Sequence, residues 1–298
     1  MYQNEQAGID GIERIDLEHT KKLVSRGLNY DALAAGGFSI SDTEIDEADF
    51  DRYLEKVDYE GRYPTYYKHF SDHFLKVGRP AEKVKKKLFE QYIAAFLSNP
   101  GSGQRTIDVA AAFGPYSHIL KTVYGVETAY HQDLNSFDTE RFPYLGDGEV
   151  ELVRGNAIDI PVEDNSIDYM YLLNSWEHFQ APSDVGLLLE AQRSLKPGGK
   201  LLIIPIKGAA QAFVRTDPDM WERKQVYQKG HEPVFRSNVP VNTSACRQVY
   251  DQYHDAKLLL AFAEMTPELS YEVKKVRFKS QPEWYGGGGL DVLVAARR

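Results

Sequence analysis

The residues whose types and spacing could do chemistry lie where short apolar runs end. The first run, Thr106-Ile107-Asp108-Val109, enters Ala110-Ala111-Ala112-Phe113-Gly114, a turn with a small residue at every second position. Such a turn lets the backbone come close to a ligand, and glycine suits it best because it has no Cβ and tolerates positive φ. Here alanine fills the first two small positions. The second run ends in His131-Gln132-Asp133, with Asp133 standing 19 residues beyond Gly114. In a doubly wound sheet a carboxylate so placed binds the two hydroxyls of a ribose. An aspartate at a strand end is also an ordinary turn former, so both readings stand.

Three further motifs follow in order. Gly155-Asn156-Ala157-Ile158-Asp159-Ile160-Pro161 closes a third run, and Asp164-Asn165-Ser166-Ile167-Asp168 opens a fourth that is followed by Trp176-Glu177-His178-Phe179. Glu190-Ala191-Gln192-Arg193-Ser194-Leu195-Lys196-Pro197-Gly198-Gly199-Lys200-Leu201 then passes from a helical to an extended pattern. In these residues the sequence resembles the type 11 branch of the class I S-adenosylmethionine-dependent methyltransferases. The resemblance is specific over Thr106–Ile206, loose over 207–298 and absent before 100.

The resemblance implies S-adenosyl-L-methionine as cofactor and a site at named positions. Asp108 with the turn Ala110, Ala112 and Gly114 would lie against its methionine part, and Asp133 would hold the ribose. Asn156 and Ala157 would meet the adenine, while Asn174 and Ser175 would face the sulfonium methyl. Two departures stand out: family members usually carry Gly where Ala110 and Ala112 stand, and Asp where Asn156 stands. An asparagine still offers a carbonyl acceptor to the adenine amino group. The alanines leave open a shifted cofactor, weak binding or lost catalysis.

Methyl transfer from a sulfonium is an in-line displacement in which the protein positions the nucleophile and excludes water, and an alcohol nucleophile also needs a base. His178, on the turn after the fourth run, is the expected base, with Glu177 beside it. Trp176 could offer a ring face to the sulfonium. Glu177 and His178 could equally be only the start of a helix in this branch. The aromatic stretch around Tyr66 and Tyr67, together with Trp176, Tyr227 and His231, supplies candidates for the substrate wall. The expected function is methylation of a small polar metabolite, such as a hydroxyl of a sugar or biosynthetic intermediate. The alternatives are a non-catalytic methyltransferase-like binding module, and an enzyme of this fold that uses the cofactor for another reaction.

The elements that must position these residues read as follows. A helix with Val84, Leu88, Tyr92, Ala95 and Phe96 at helical spacing leads into strand Thr106–Ala111, helix Tyr116–Tyr124, strand Thr128–Gln132 and strand Val150–Arg154. Strand Ile167–Asn174, a helix at Ser183–Leu195, strand Leu201–Ile206 and a final pair, Glu272–Lys279 and Leu290–Ala295, follow. This alternation predicts an α/β fold: a doubly wound, mostly parallel seven-stranded Rossmann-like sheet with a C-terminal antiparallel hairpin and an N-terminal helical or irregular cap. The expected division is an acidic arm and helical cap over 1–99 and a methyltransferase-like domain over 100–298, with a substrate-side insertion at 207–270. Residues 1–76 are expected to cover the substrate side of the sheet, and deletion of residues 1–60 is expected to leave a folded core.

Composition narrows the classes. The net charge of −9 resides in residues 1–60, which hold 15 Asp/Glu against 6 Lys/Arg. The remaining chain is balanced, without the basic surface that nucleic-acid binding requires, so no nucleic-acid partner is expected. A single cysteine, Cys246, permits no internal disulfide and no multi-cysteine metal site, and no metal is expected. No run of 18 apolar residues occurs, and the N-terminus is acidic and polar where a secretory signal would be basic and then apolar. The expectation is a cytoplasmic protein without membrane association that acts on a small molecule.

Overall fold

The computed structural model describes residues 17–76, 84–179, 182–216, 234–236, 250–280, 282, 284–285 and 289–298. The central strands are β2 (Arg105–Val109), β3 (Thr128–Asp133), β4 (Glu151–Arg154), β5 (Ile167–Leu173) and β6 (Leu195–Ile204). They pair in parallel in the order β6-β5-β2-β3-β4. Both β2 and β5 carry buried residues on both faces, the usual condition of a parallel strand, and β5 is largely apolar for that reason. From β2 the chain winds outward through β3 to β4, then returns to β5 on the other side of β2. The strand order therefore reverses between β2 and β5, and a crevice opens beyond their C-terminal ends.

Beyond β6 lie β11 (Leu290–Arg297), antiparallel to both its neighbours, and β10 (Leu269–Phe278). The C-terminal hairpin is thus as expected. The strand count is not: β1 (Ser39–Ile45) pairs in parallel with β10 from Ser39 opposite Glu272 to Ile45 opposite Phe278, giving eight strands where seven were expected. Its sequence, Ser-Ile-Ser-Asp-Thr-Glu-Ile, is polar because it forms a half-exposed edge, and such a strand reads as a loop. A second, three-stranded sheet is built from β7 (Phe213–Thr216), β8 (Val234–Arg236) and β9 (Tyr250–Tyr253) in the order β8-β7-β9.

Side chains alternate between the two faces of the main sheet. Tyr171, Leu202, Ile204, Val292 and Val294 face one core, while Met170, Leu172, Leu201, Ile203 and Leu293 face the other. The second core is covered by α2 (Tyr30–Ala35), α8 (Ser183–Ser194) and α9 (Ala256–Met265). The first is covered by α3 (Glu47–Val57), α4 (Tyr59–Arg62), α5 (Pro64–Lys76), α6 (Val84–Ser98) and α7 (Tyr116–Thr122). Helix α1 (Leu17–Arg26) precedes them. Asp46 caps α3 by accepting the Ala48 N–H at 3.1 Å, and Phe50, Tyr53 and Val57 at helical spacing enter the core. Helix α6 is buried almost all round from Leu88 to Ala95, as befits a helix inside a core layer. The N-terminal region is therefore sheet and core as well as cover.

The Lys196-Pro197-Gly198-Gly199 segment also differs from expectation. It does not lie ahead of a strand that begins at Leu201 but within β6, where the pairing with β5 shifts register. A Cβ at Gly199 would sit 2.9 Å from the carbonyl oxygens of both Ile167 and Lys196, so the close passage of the chains needs glycine there.

Candidate active site

The turn after β2 is fixed mainly by the residues that end β3. Gln132 accepts the Ala110 N–H at 3.1 Å through Oε1 and donates from Nε2 to the Gly155 carbonyl at 2.6 Å, tying the first turn to the third. Asp133 accepts the Ala112 N–H at 2.8 Å on one oxygen. Its other oxygen accepts the Asn135 backbone N–H at 2.8 Å and side-chain amide at 3.0 Å. Burial pushes the His131 imidazole below its ordinary pKa, so the ring is neutral. Its Nε2–H donates to the Ala112 carbonyl at 3.0 Å, and its Nδ1 accepts from the Ser117 hydroxyl at 2.8 Å.

Within this frame Ala110 and Ala112 have φ of 51° and 50°, in the left-handed region that favours glycine. The alanines thus take the conformation that glycine would, at a cost in strain. Asp108, buried below the turn, is held well above the ordinary carboxylate range by burial, opposed by the Ser117 backbone N–H and reinforced by nearby Asp133.

The turn after β5 forms the facing wall. Asn174 also has a positive φ, 52°, and its backbone N–H donates to the Ile204 carbonyl at 2.8 Å. Its side-chain amide donates to Glu90 of α6, a buried carboxyl raised by desolvation against the opposing pull of Lys87 and Asn174. Ser175 donates to the Ala110 carbonyl at 3.1 Å, joining the two turns across the point where strand order reverses. Trp176–His178 is a single 3-10 turn.

A cavity of about 760 Å³ opens at this crevice, within the range of small-molecule sites. Asp108, Ala110, Ala112, Gly114, Asp133, Asn156, Ala157, Asn174 and Ser175 all line it, as do Glu177, His178 and Tyr66. Trp176 does not: it is buried, stacked on His254 at 4.1 Å with its indole N–H on the Asp184 carbonyl, and is a packing residue. Tyr67 is half-buried against the first core and is not among the lining residues. Tyr227 and His231 lie outside the described residues.

Sequence reading missed several lining residues. Phe70, Lys87 and Gln91 come from α5 and α6, before the recognisable motifs. Gln91 is held by the Tyr59 hydroxyl at 2.7 Å and itself donates to the Tyr66 hydroxyl at 2.9 Å. Lys207 follows β6, and the rule that functional residues follow strands would have found it. Its ammonium lies 3.2 Å from both Glu177 Oε1 and Asp251 Oδ1. Burial lowers the Lys207 pKa, but the two carboxylates outweigh that effect and hold it above its ordinary value.

Residues 100–203 match the model of a protein family described as a methyltransferase domain. This segment is a class I methyltransferase domain of the type 11 branch. Over 104 residues the chain is 31% identical to a demethylmenaquinone methyltransferase of Bacillus cytotoxicus, covering 35% of this chain and 40% of the relative. It is 29% identical over 146 residues to the enzyme of the same name from Clavibacter sepedonicus, covering 49% and 56%. The chain thus spans only about half the length of these curated relatives. Among solved structures, an S-adenosylmethionine-dependent methyltransferase from Mesorhizobium loti aligns with a TM-score of 0.48 at 15% identity, covering 70% of this chain and 98% of that one. The Burkholderia thailandensis 1,6-didemethyltoxoflavin-N1-methyltransferase, solved with bound 1,6-didemethyltoxoflavin and S-adenosylhomocysteine, aligns at 0.45 and 12%, covering 70% and 76%. The methyltransferase domain contains the β2–β5 crevice, whereas Tyr66, Phe70, Lys87, Gln91 and Lys207 reach the cavity from outside it.

Among the described residues no group of three or more His, Cys, Asp or Glu could hold a metal ion, and no helix is long and apolar enough to cross a membrane.

Proposed function

We propose that this chain transfers a methyl group from S-adenosylmethionine to a hydroxyl of a small polar metabolite. One observation carries the reading: a single cavity joins the motif residues of the methyltransferase domain to His178. The donor set fits the cofactor. Asp133 uses three of its roughly four lone-pair sites internally, so one oxygen still accepts a ribose hydroxyl, and a second position opens if the Asn135 amide turns away. Asn156 and Ala157 line the wall proposed for the adenine, and Asn174 and Ser175 the wall proposed for the methyl-bearing end. The cofactor, when bound, supplies a methyl group made electrophilic by its positive sulfonium.

The chain's own part is to orient the acceptor, exclude water and take a proton. Tyr66, Phe70 and Phe179 give the cavity aromatic walls, which suit a metabolite with both apolar and polar parts. His178 lines the same cavity and takes the hydroxyl proton as general base.

Calorimetric titration with S-adenosylmethionine and S-adenosylhomocysteine, followed by a panel of hydroxylated acceptors, tests the proposal. Both cofactor forms should bind. With a productive acceptor, His178→Ala should lower kcat by about 10²–10⁴-fold and leave cofactor affinity nearly unchanged. A folded protein that binds neither form would overturn the reading. Turnover that survives His178→Ala would move the acceptor from oxygen to an amine nitrogen, whose lone pair needs no base.

A further inference from the structure

Given the proposed reading of the cavity as a cofactor and acceptor site, we infer that the acceptor carries an anionic group, a carboxylate or a phosphoryl, held by the ammonium of Lys87. Lys87 and Gln91 stand one turn apart on α6, and Tyr66 and Phe70 one turn apart on α5. At that spacing each pair shares a helix face, and all four side chains line the cavity. Glu90 joins this wall to the turn after β5: its Oε2 accepts the Asn174 side-chain amide and lies 3.7 Å from Lys87 Nζ. One carboxyl group therefore separates the ammonium from the residue proposed to face the methyl.

The other charges along the cavity are already engaged. Asp133 accepts from Ala112 and Asn135, Glu177 lies against Lys207, and Asp108 is buried beneath the first turn. Lys207 has Glu177 and Asp251 each at 3.2 Å. Lys87 is placed differently. Among the described residues its ionic partner is Glu90, at a separation beyond hydrogen-bond reach. Burial, outweighing Lys87 and Asn174, pushes that carboxyl up from its ordinary pKa and so weakens it as a counter-ion.

Lys87 also occupies the first turn of α6, which holds no acidic residue. That is the positive end of the helix dipole, where a cation is disfavoured and an anion stabilised. An acceptor filling the cavity strips solvent from the half-buried ammonium. A neutral acceptor would leave that charge without a counter-ion, whereas an anionic one supplies it, so the wall selects against neutral ligands as well as for anions. Tyr66 and Phe70 beside it suit a flat ring, and a hydroxylated aromatic acid or its phosphoryl counterpart satisfies both halves of the wall.

Calorimetric titration of the full chain, first saturated with S-adenosylhomocysteine, tests this with the ortho, meta and para isomers of hydroxyphenylacetate, each beside its neutral carboxamide and the matching hydroxybenzylphosphonate. A charge-assisted hydrogen bond predicts about 10–100-fold tighter binding of at least one acid than of its amide. Lys87→Met should abolish that preference, and Lys87→Arg should retain most of it. A carboxylate bound better than its phosphonate assigns the anion to a carboxyl group, and the reverse order assigns it to a phosphoryl group. Acid and amide bound alike by the wild type would overturn the inference, as would a preference that survives Lys87→Met or the binding of no acid at millimolar concentration. Should Lys87→Met fail to fold, the wild type decides alone: a preference for the acid that does not fall as salt is raised refutes the assignment. The saturation step separates the two levels of failure. A chain that binds no S-adenosylhomocysteine sinks the reading of the cavity as a cofactor site, whereas one that binds it and shows no acid preference sinks only the anionic acceptor.

Discussion

At the scale of single residues, the turn after β2 holds two alanines where the resemblance led us to expect glycine, and both sit at positive φ. A left-handed alanine costs about 1–2 kcal/mol, while glycine loses about 0.4–1 kcal/mol more chain entropy on folding. Ala110→Gly and Ala112→Gly should therefore each stabilise the protein by about 0.5–1 kcal/mol, seen as a higher denaturation midpoint at unchanged slope in urea. A loss of stability on both would mean that the Cβ atoms pack usefully against the frame of Gln132, Asp133 and His131. The hydrogen bonds of that frame explain how alanine is tolerated: donors and acceptors from β3 fix the turn's backbone, so its conformation does not depend on glycine. The sequence displayed the substitution but not its remedy, because Gln132 and His131 look like ordinary strand residues until their partners are seen.

At the scale of elements, the covering helices belong to the fold as firmly as the strands. Phe50 of α3 is fully buried among Phe89, Tyr92, Phe278 and Trp284, with ring centroids 5.4 Å from Phe89, Tyr92 and Trp284. Phe50→Ala should cost about 3–5 kcal/mol in a reversible denaturation experiment, since it removes a large ring from a filled core. A cost under 1 kcal/mol would instead support the expectation that this region is a dispensable cap. The strands and helices from β2 to β6 were legible because their apolar runs are bounded by turn residues and repeat as strand and helix. What escaped was β1, whose polar edge carries no such pattern, and the role of α5, whose aromatics read as well for a pocket lining as for a core. Among the described side chains of α5, Tyr66 and Phe70 are the aromatics that line the cavity, and Tyr66 is also packed into the core. Asp251 had no local signal at all: it is brought to Lys207 by β9, across a long separation in sequence.

At the scale of the whole molecule, the cavity is assembled from two sources. Residues within 100–203 provide the turns proposed for the cofactor, while Tyr66, Phe70, Lys87, Gln91 and Lys207 complete the walls from segments to either side. A hydrogen bond from Asn174 to Glu90 couples the two. That division predicts how the protein behaves as an exchangeable part. Replacing residues 100–203 with the corresponding stretch of a demethylmenaquinone methyltransferase, with Asn174 and Glu90 kept as a pair, should leave the acceptor preference with this chain. The same panel of acceptors measures it, and a switch to the donor's preference would show that selectivity travels with the inserted block. Heredity of cofactor use and heredity of substrate choice would then run along separate stretches of one gene, free to change at different rates.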